Sequence, residues 1–385
     1  MAQTSVNLAG MRPLRQGDLQ VGKPLACAIY DRHGILLLQR GGVVENENQL
    51  ETLLERDCLI ASACAAGGND AQADAPAPCA PPTPFEAMDQ LQRDVGQMHR
   101  RLLAGSASGI GKQVAQMAAS IDDALARDTD AALASMQLQL DPNDHAARQA
   151  HAAIICVFAA RTLHLDADAL TALTGAALTY DVALGPLATQ LNSQSERLSA
   201  DQLDQVRAHP EASRRMLEAA SVDDPLWLEA VLHHHERLDG SGYPHGLRGD
   251  GIPHLARLLG IVDIYTAMLR PRTYRDAVPA RMALRNIFLE RGKQVDEALA
   301  TLLIKELGVY PPGTLVRLAN DEIGVVLHRG GDAAHPQVSR LMTAEGYRAS
   351  VAVVRDTHAA EFQIVDSVPH GRYPGLLPNI AALWN

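Results

Sequence analysis

Aromatic residues are scarce, at 4% of the 385 positions. With alanine abundant, that balance favours helices over sheets. Long hydrophobic runs are missing too. No apolar stretch reaches 18 residues and no charged-then-apolar leader opens the sequence, so neither membrane nor secretion is expected and the reading is a cytoplasmic protein. Cysteine is sparse. Cys27, Cys58, Cys64, Cys79 and Cys156 show no CxxC spacing and read as unpaired thiols of a reducing compartment. Basic charge is in deficit, with 34 Lys and Arg against 45 Asp and Glu and a net charge of −11. That argues against a nucleic-acid polymer as partner, while a single anionic nucleotide held by a few local arginines stays compatible. The length suggests two or three domains with a sizeable core.

What is present falls into five stretches. Residues 1–62 read as a small β-rich module, with strands at 26–30 and 35–39 around the turn Asp31-Arg32-His33-Gly34 and a helix at 47–56. Residues 63–84 are Ala- and Pro-rich and read as a linker. Residues 85–140 form a helical connector. In it Met88, Leu91, Val95, Met98 and Leu102 step by three and four, and Ile110, Val114, Met117, Ile121 and Leu125 nearly repeat the rhythm. Such stripes suit a helix-pair seam or a homodimer interface.

Residues 141–310 read as an all-helical domain. Asp141-Pro142 resembles a helix start, Ser199 to Gln202 fits a capping box, and His209-Pro210 is expected to interrupt the helix that follows. Residues 311–385 read as a small β-rich module with strands at 314–318, 323–328, 350–355 and 361–366. The fold class is therefore mainly α, a helical bundle flanked by two small β-rich modules.

The densest chemistry lies at His234-His235-Glu236-Arg237-Leu238-Asp239-Gly240-Ser241-Gly242-Tyr243-Pro244. Two imidazoles close a helix, and neighbours on a helix diverge by about 100°, so they can flank one site from two sides. Gly240 and Gly242 permit positive φ, and Tyr243-Pro244 is expected to fix an extended exit. His233, about 200° from His235 on a helix, is expected to face elsewhere. His151, Asp181, His209 and Asp263 are further candidate ligands on separate helices. Each alone is weak, since a lone buried histidine is more often a core or surface residue. Mixed imidazole and carboxylate donors suit Fe, Mn or a similar divalent ion.

The string at 234–244 resembles the HHE…DGxGYP signature of the HD-GYP family, bacterial metal-dependent phosphodiesterases that open cyclic di-GMP. The resemblance covers roughly residues 140–310 and implies an HD-type helical bundle. It also implies roles. His151 would be an upstream ligand, and Asp181 would be the aspartate of the HD dyad, catalytic and bridging metals. His209, His234, His235 and Asp263 would complete the metal ligands. Arg272 and Arg275, in Arg272-Thr273-Tyr274-Arg275, would meet the nucleotide. Asp239, Gly240, Gly242, Tyr243 and Pro244 would form the motif loop, a contact for diguanylate cyclase (GGDEF) proteins.

Two positions of the first motif depart from that pattern, and Thr266, where a second acidic residue often occurs, is a milder departure. Where the family has HDxGK this chain has Tyr180-Asp181-Val182-Ala183-Leu184, so tyrosine replaces the histidine and leucine the lysine. A phenol with a pKa near 10 seldom binds a divalent ion at neutral pH. Leucine cannot hold a phosphate. Tyr180 and Leu184 are one helical turn apart, so both losses fall in one corner of the site. The expectation is one metal ion, or none, and a catalytically impaired relative that binds cyclic di-GMP or a protein partner. An active phosphodiesterase with a rewired metal site is the alternative. A phosphohydrolase for another nucleotide, or a structural domain, stays open behind both.

Overall fold

A computed structural model describes residues 82–385 apart from 139–143, 195, 272–276, 350, 377–379 and 385, together with scattered positions between 11 and 61. The chain divides into two compact units, Met1–Ala80 and Pro81–Asn385.

In the first unit, β1 (Met11–Pro13), β2 (Ile29–Tyr30), β3 (Leu36–Leu38) and β4 (Leu59–Ala61) form an antiparallel sheet in the order β1-β4-β2-β3. Leu14, Leu25, Ile29, Val44, Leu53 and Ile60 make its small core. The turn expected at 31–34 and nearly all of the helix expected at 47–56 lie outside the described residues. Cys27 is disulfide-bonded, which corrects the expectation of five unpaired thiols. Missing CxxC spacing speaks only to cysteines close in sequence, whereas a disulfide requires closeness in space.

The second unit is built on eleven helices among its described residues: α1 (Pro84–Leu103), α2 (Ile110–Arg127), α3 (Thr129–Gln137), α4 (His145–Thr162), α5 (Ala167–Thr179), α6 (Gly185–Ser193), α7 (Ala200–Ala219), α8 (Pro225–His233), α9 (His254–Leu269), α10 (Ala280–Glu290) and α11 (Glu297–Leu307). Thr83 caps α1 through a capping box with Glu86, and the stripe from Met88 to Leu102 is buried. The stripe from Ile110 to Leu125 on α2 is buried in the same core. Packing within one chain consumes both stripes, each large side chain contributing about 1.5–3 kcal/mol relative to exposure. The dimer reading loses these surfaces.

At the start of the bundle's central part, Asp144 caps α4 by accepting from Ala147 N at 2.8 Å. The expected start, Asp141-Pro142, lies outside the described residues. α4 is buried almost all round, which its run of alanines, Ile154, Ile155, Val157 and Phe158 permits. α1, α5 and α9 pack about it. Ser199 caps α7 through the expected box with Gln202. Contrary to expectation, Pro210 lies inside α7 and does not interrupt it.

Beyond the bundle, β5 (Leu315–Leu318), β6 (Ile323–His328), β7 (Gln337–Met342), β8 (Val354–Asp356) and β9 (Ile364–Ser367) form an antiparallel sheet in the order β8-β7-β6-β5-β9. β7 went unread in the sequence. Arg329 ties this sheet to the bundle, donating to Asp130 Oδ1 at 2.5 Å and to the Glu306 carbonyl at 2.9 Å. No helix among the described residues is long and apolar enough to cross a membrane.

Candidate metal centre

Four residues expected to be ligands converge. One donor atom each from Asp181, His209, His234 and His235 falls within 4.8 Å of all the others. They arrive from three places: the turn after α5, the middle of α7 and the end of α8. Asp181 Oδ1 lies 2.9 Å from His209 Nε2 and 3.7 Å from His234 Nε2, and the two Nε2 atoms are 3.4 Å apart.

The backbone sets which nitrogen of each ring points inward. Pro210 has no N–H, so the Val206 carbonyl four residues earlier lacks its usual helical donor. His209 Nδ1 donates to that carbonyl at 2.5 Å. His234 follows the last residue of α8 and donates from Nδ1 to the Val231 carbonyl at 2.7 Å. Each bond leaves Nε2 turned to the cluster, the arrangement by which outer hydrogen bonds orient metal-binding imidazoles. The proline that was expected to break α7 instead helps to aim His209.

The neighbouring corner is filled differently. Arg148, on α4, donates from Nη1 to Asp181 Oδ2 at 2.9 Å and from Nη2 to Asp263 Oδ1. Asp263, on α9, keeps its other oxygen 3.9 Å from His235 Nδ1. Burial alone would raise the Asp181 carboxyl, but the charges of Arg148 and then His209 hold it well below its usual range. Burial lowers the proton affinity of His209, and Asp181 outweighs that, leaving the imidazole above its ordinary value. Tyr180 is fully buried, with its ring 4.9 Å from that of His234 and edge-on to it. Burial pushes its phenol well above the ordinary value, so it stays neutral.

His151 does not join the converging atoms. It lies one turn beyond Arg148 on α4, about 4.5 Å further along the axis, with its ring 6.4 Å from that of Tyr265. Burial, and then Arg270, push its pKa well below the ordinary value, so it is a neutral core imidazole. Arg272 and Arg275 lie outside the described residues. Leu184 lines a cavity of about 70 Å³ with His145, Arg148, Ala188, Asn192 and Arg270.

The motif loop folds back on the histidines. Gly240 has φ +77°. Gly242 does not adopt the expected positive φ; its constraint is space, since a Cβ there would meet Arg237 N at 2.4 Å. The Tyr243–Pro244 bond is cis. The Tyr243 ring lies 4.6 Å from that of His235, tilted by 30°. Asp239 accepts from Ser241 N and Oγ at 2.9 and 2.6 Å. Glu236 accepts from His245 N and Leu247 N at 2.7 and 2.9 Å, bracing the loop. His233 points away, as expected, to Glu229 Oε2 at 3.0 Å.

Arg148, His145 and Glu236 were missed in the sequence. Arg148 left one signal: a charged residue within a helix rich in alanine and apolar side chains needs a partner where it is buried. His145 carries none, because its partner is a backbone atom, the Asp181 carbonyl at 2.9 Å.

The donor set suits a divalent ion. Two Nε2 atoms, whose Nδ1 atoms are engaged elsewhere, face a buried carboxylate oxygen that has no well-aligned hydrogen bond of its own. An ion bound there by Asp181, His209, His234 and His235 would act as a Lewis acid and lower the pKa of a bound water. The arrangement offers that chemistry at one position, while the position between Asp181 and Asp263 holds a guanidinium.

Comparison with known proteins agrees with this geometry. The family model of the HD domain matches residues 97–299. A cyclic di-GMP phosphodiesterase of Pseudomonas aeruginosa, PA4108, is 34% identical over 185 residues, which cover 47% of this chain and 44% of that protein. RpfG of Xanthomonas campestris, a cyclic di-GMP phosphodiesterase response regulator, is 33% identical over 111 residues, covering 28% of this chain and 29% of that protein. The matches thus span less than half the length of these relatives. Among solved structures, Bd1817 of Bdellovibrio bacteriovorus, an HDG"Y"P protein, superposes with a TM-score of 0.50 at 15% identity, covering 77% of this chain and 99% of that one. That likeness shows the fold. With the family model spanning more than half of the sequence, the chain belongs to the HD domain family, and its paired histidines and loop keep the HD-GYP signature.

Proposed function

We propose that this chain is a cyclic di-GMP signalling protein whose centre binds one divalent ion, iron or manganese, and whose hydrolytic power is reduced. Nucleotide binding or partner binding would be its output. One observation carries the reading: the corner beside Asp181 holds Tyr180, Leu184 and the Arg148 guanidinium, and none of these donates to a metal. A second ion in such sites stabilises the attacking or leaving oxygen. Its loss removes several kcal/mol of transition-state stabilisation, about a thousandfold or more in rate. The cavity lined by Arg148 and Leu184, about 70 Å³, is also small beside the roughly 300 Å³ or more of ordinary ligand pockets.

The reading of an active phosphodiesterase with a rewired centre has its own support, because the Asp181, His209, His234 and His235 set is complete. Contact of the loop at Asp239–Pro244 with GGDEF proteins is a further proposal, supported by its bracing through Glu236. Incubation of the metal-loaded chain with cyclic di-GMP, followed by chromatography of products and calorimetry, separates the readings. Saturable binding with turnover at least about a thousandfold below that of a two-metal relative is expected. Full turnover would favour the active reading, and absence of both signals would sink the nucleotide proposal.

A further inference from the structure

We propose that Arg148 is a built-in cation that takes the place of a second metal ion, bridging Asp181 and Asp263 and limiting the centre to one exchangeable ion. This rests on the single-ion reading above and names the residue that enforces it.

The geometry carries the argument. Asp181 spans two cation positions. Its Oδ1 faces the Nε2 atoms of His209 and His234, and its Oδ2 accepts from Arg148 Nη1 at 2.9 Å. Asp263 is divided likewise, with Oδ1 on Arg148 Nη2 and Oδ2 toward His235. One guanidinium therefore joins two carboxylates, taking one oxygen of each.

The carboxylates are 2% and 6% exposed and the arginine side chain 14%. Two carboxylates this deeply buried require a cation, and the planar fork of arginine supplies one with two directed N–H groups. The surroundings are matched to an arginine and not to an ion. The Tyr180 ring lies 5.8 Å from Cζ of Arg148, and Leu184 lines the same cavity as Arg148. The two departures at 180 and 184 thus stand beside a fixed positive charge, where neither supplies a nitrogen donor. A divalent ion entering beside that charge would be repelled and would find both carboxylates already engaged.

Metal counting tests this on the full chain. After loading with Mn²⁺ and desalting, metal analysis should give one ion per chain. The electron paramagnetic resonance spectrum should be that of an isolated ion, even with Mn²⁺ in excess. Arg148→His, which exchanges the charge for an imidazole donor, should raise the count to two and give a spin-coupled spectrum. Arg148→Lys, which keeps the charge, should stay at one. Two ions in the unaltered chain would overturn the proposal. So would a folded Arg148→His variant that stays at one, and in that case the single-ion reading survives. No bound ion in the unaltered chain would overturn both. Should Arg148→His fail to fold, Arg148→Gln, which removes the charge at similar size, decides instead: a count above one ion in excess Mn²⁺ supports the proposal, and a count held at one sinks it.

Discussion

At the residue scale, the centre is defined by what stands beside its histidines. Tyr180 and Leu184 alone suggest a defect that two substitutions would repair. Arg148 changes that expectation, because its guanidinium engages one oxygen of Asp181 and one of Asp263. The double change Tyr180→His with Leu184→Lys is predicted to leave metal content at one ion per chain while Arg148 remains. Metal analysis checks this, and a rise to two would show that the lost donors, not the arginine, set the count. At the same scale His209 depends on its neighbour. Pro210 frees the Val206 carbonyl that fixes the His209 ring. Pro210→Ala would return a competing backbone donor to that carbonyl, and metal affinity is predicted to fall about tenfold, the lower end of what loss of an outer orienting bond costs. Titration with Mn²⁺ reads this directly, and unchanged affinity would show that packing alone aims the ring.

At the scale of elements, two close approaches position the site. Gly260 on α9 leaves no room for a side chain, since a Cβ would lie 2.5 Å from the His234 carbonyl oxygen. That approach brings Asp263, one turn later, beside His235. Gly175 on α5 faces Trp227 of α8 at a similar 2.5 Å, and Trp227 Nε1 donates to Thr179 Oγ1 at 2.9 Å. Overpacking of this kind costs about 1–3 kcal/mol. Gly260→Ala and Gly175→Ala should therefore both lower the unfolding midpoint. Gly260→Ala alone should also weaken metal binding, because it displaces the helix that carries Asp263. Melting curves and metal titrations of the two variants check this, and equal metal affinity would show that α9 can shift without disturbing the centre.

At the scale of the whole molecule, stability should decline on the acid side. His99 on α1 is buried and bonded through Nε2 to the Leu178 carbonyl at 2.7 Å, which ties α1 to the end of α5 just before Asp181. Burial lowers its pKa from 6.5 to about 4. The folded chain therefore holds the ring neutral where the unfolded chain protonates it. The stability this supplies is full above pH 6.5 and is lost as pH falls toward about 4, at roughly 1.4 kcal/mol per unit and about 3 kcal/mol in all. His99→Gln should flatten that slope in denaturant unfolding of the full chain between pH 7 and 4.5, and an unaltered slope would place the acid sensitivity elsewhere.

Much was legible in advance. The helical bundle followed from apolar patterning and cap residues, and four of the five strands of the second sheet were placed to within a few residues. The paired histidines announced themselves, because a local motif is written in consecutive residues. Other features were not legible. His151 was a better candidate than Arg148 on chemical type, yet only the rotation and depth of α4 decide which of the two meets Asp181. Pro210 reads as a helix breaker until its neighbour's ring is seen on the freed carbonyl. By itself the sequence determined the periodicity, the caps and the donor types, all of which are properties of near neighbours along the chain. Only the tertiary structure decided that one carboxylate would face imidazoles on one side and a guanidinium on the other, because that depends on how helices far apart in sequence share a single buried charge.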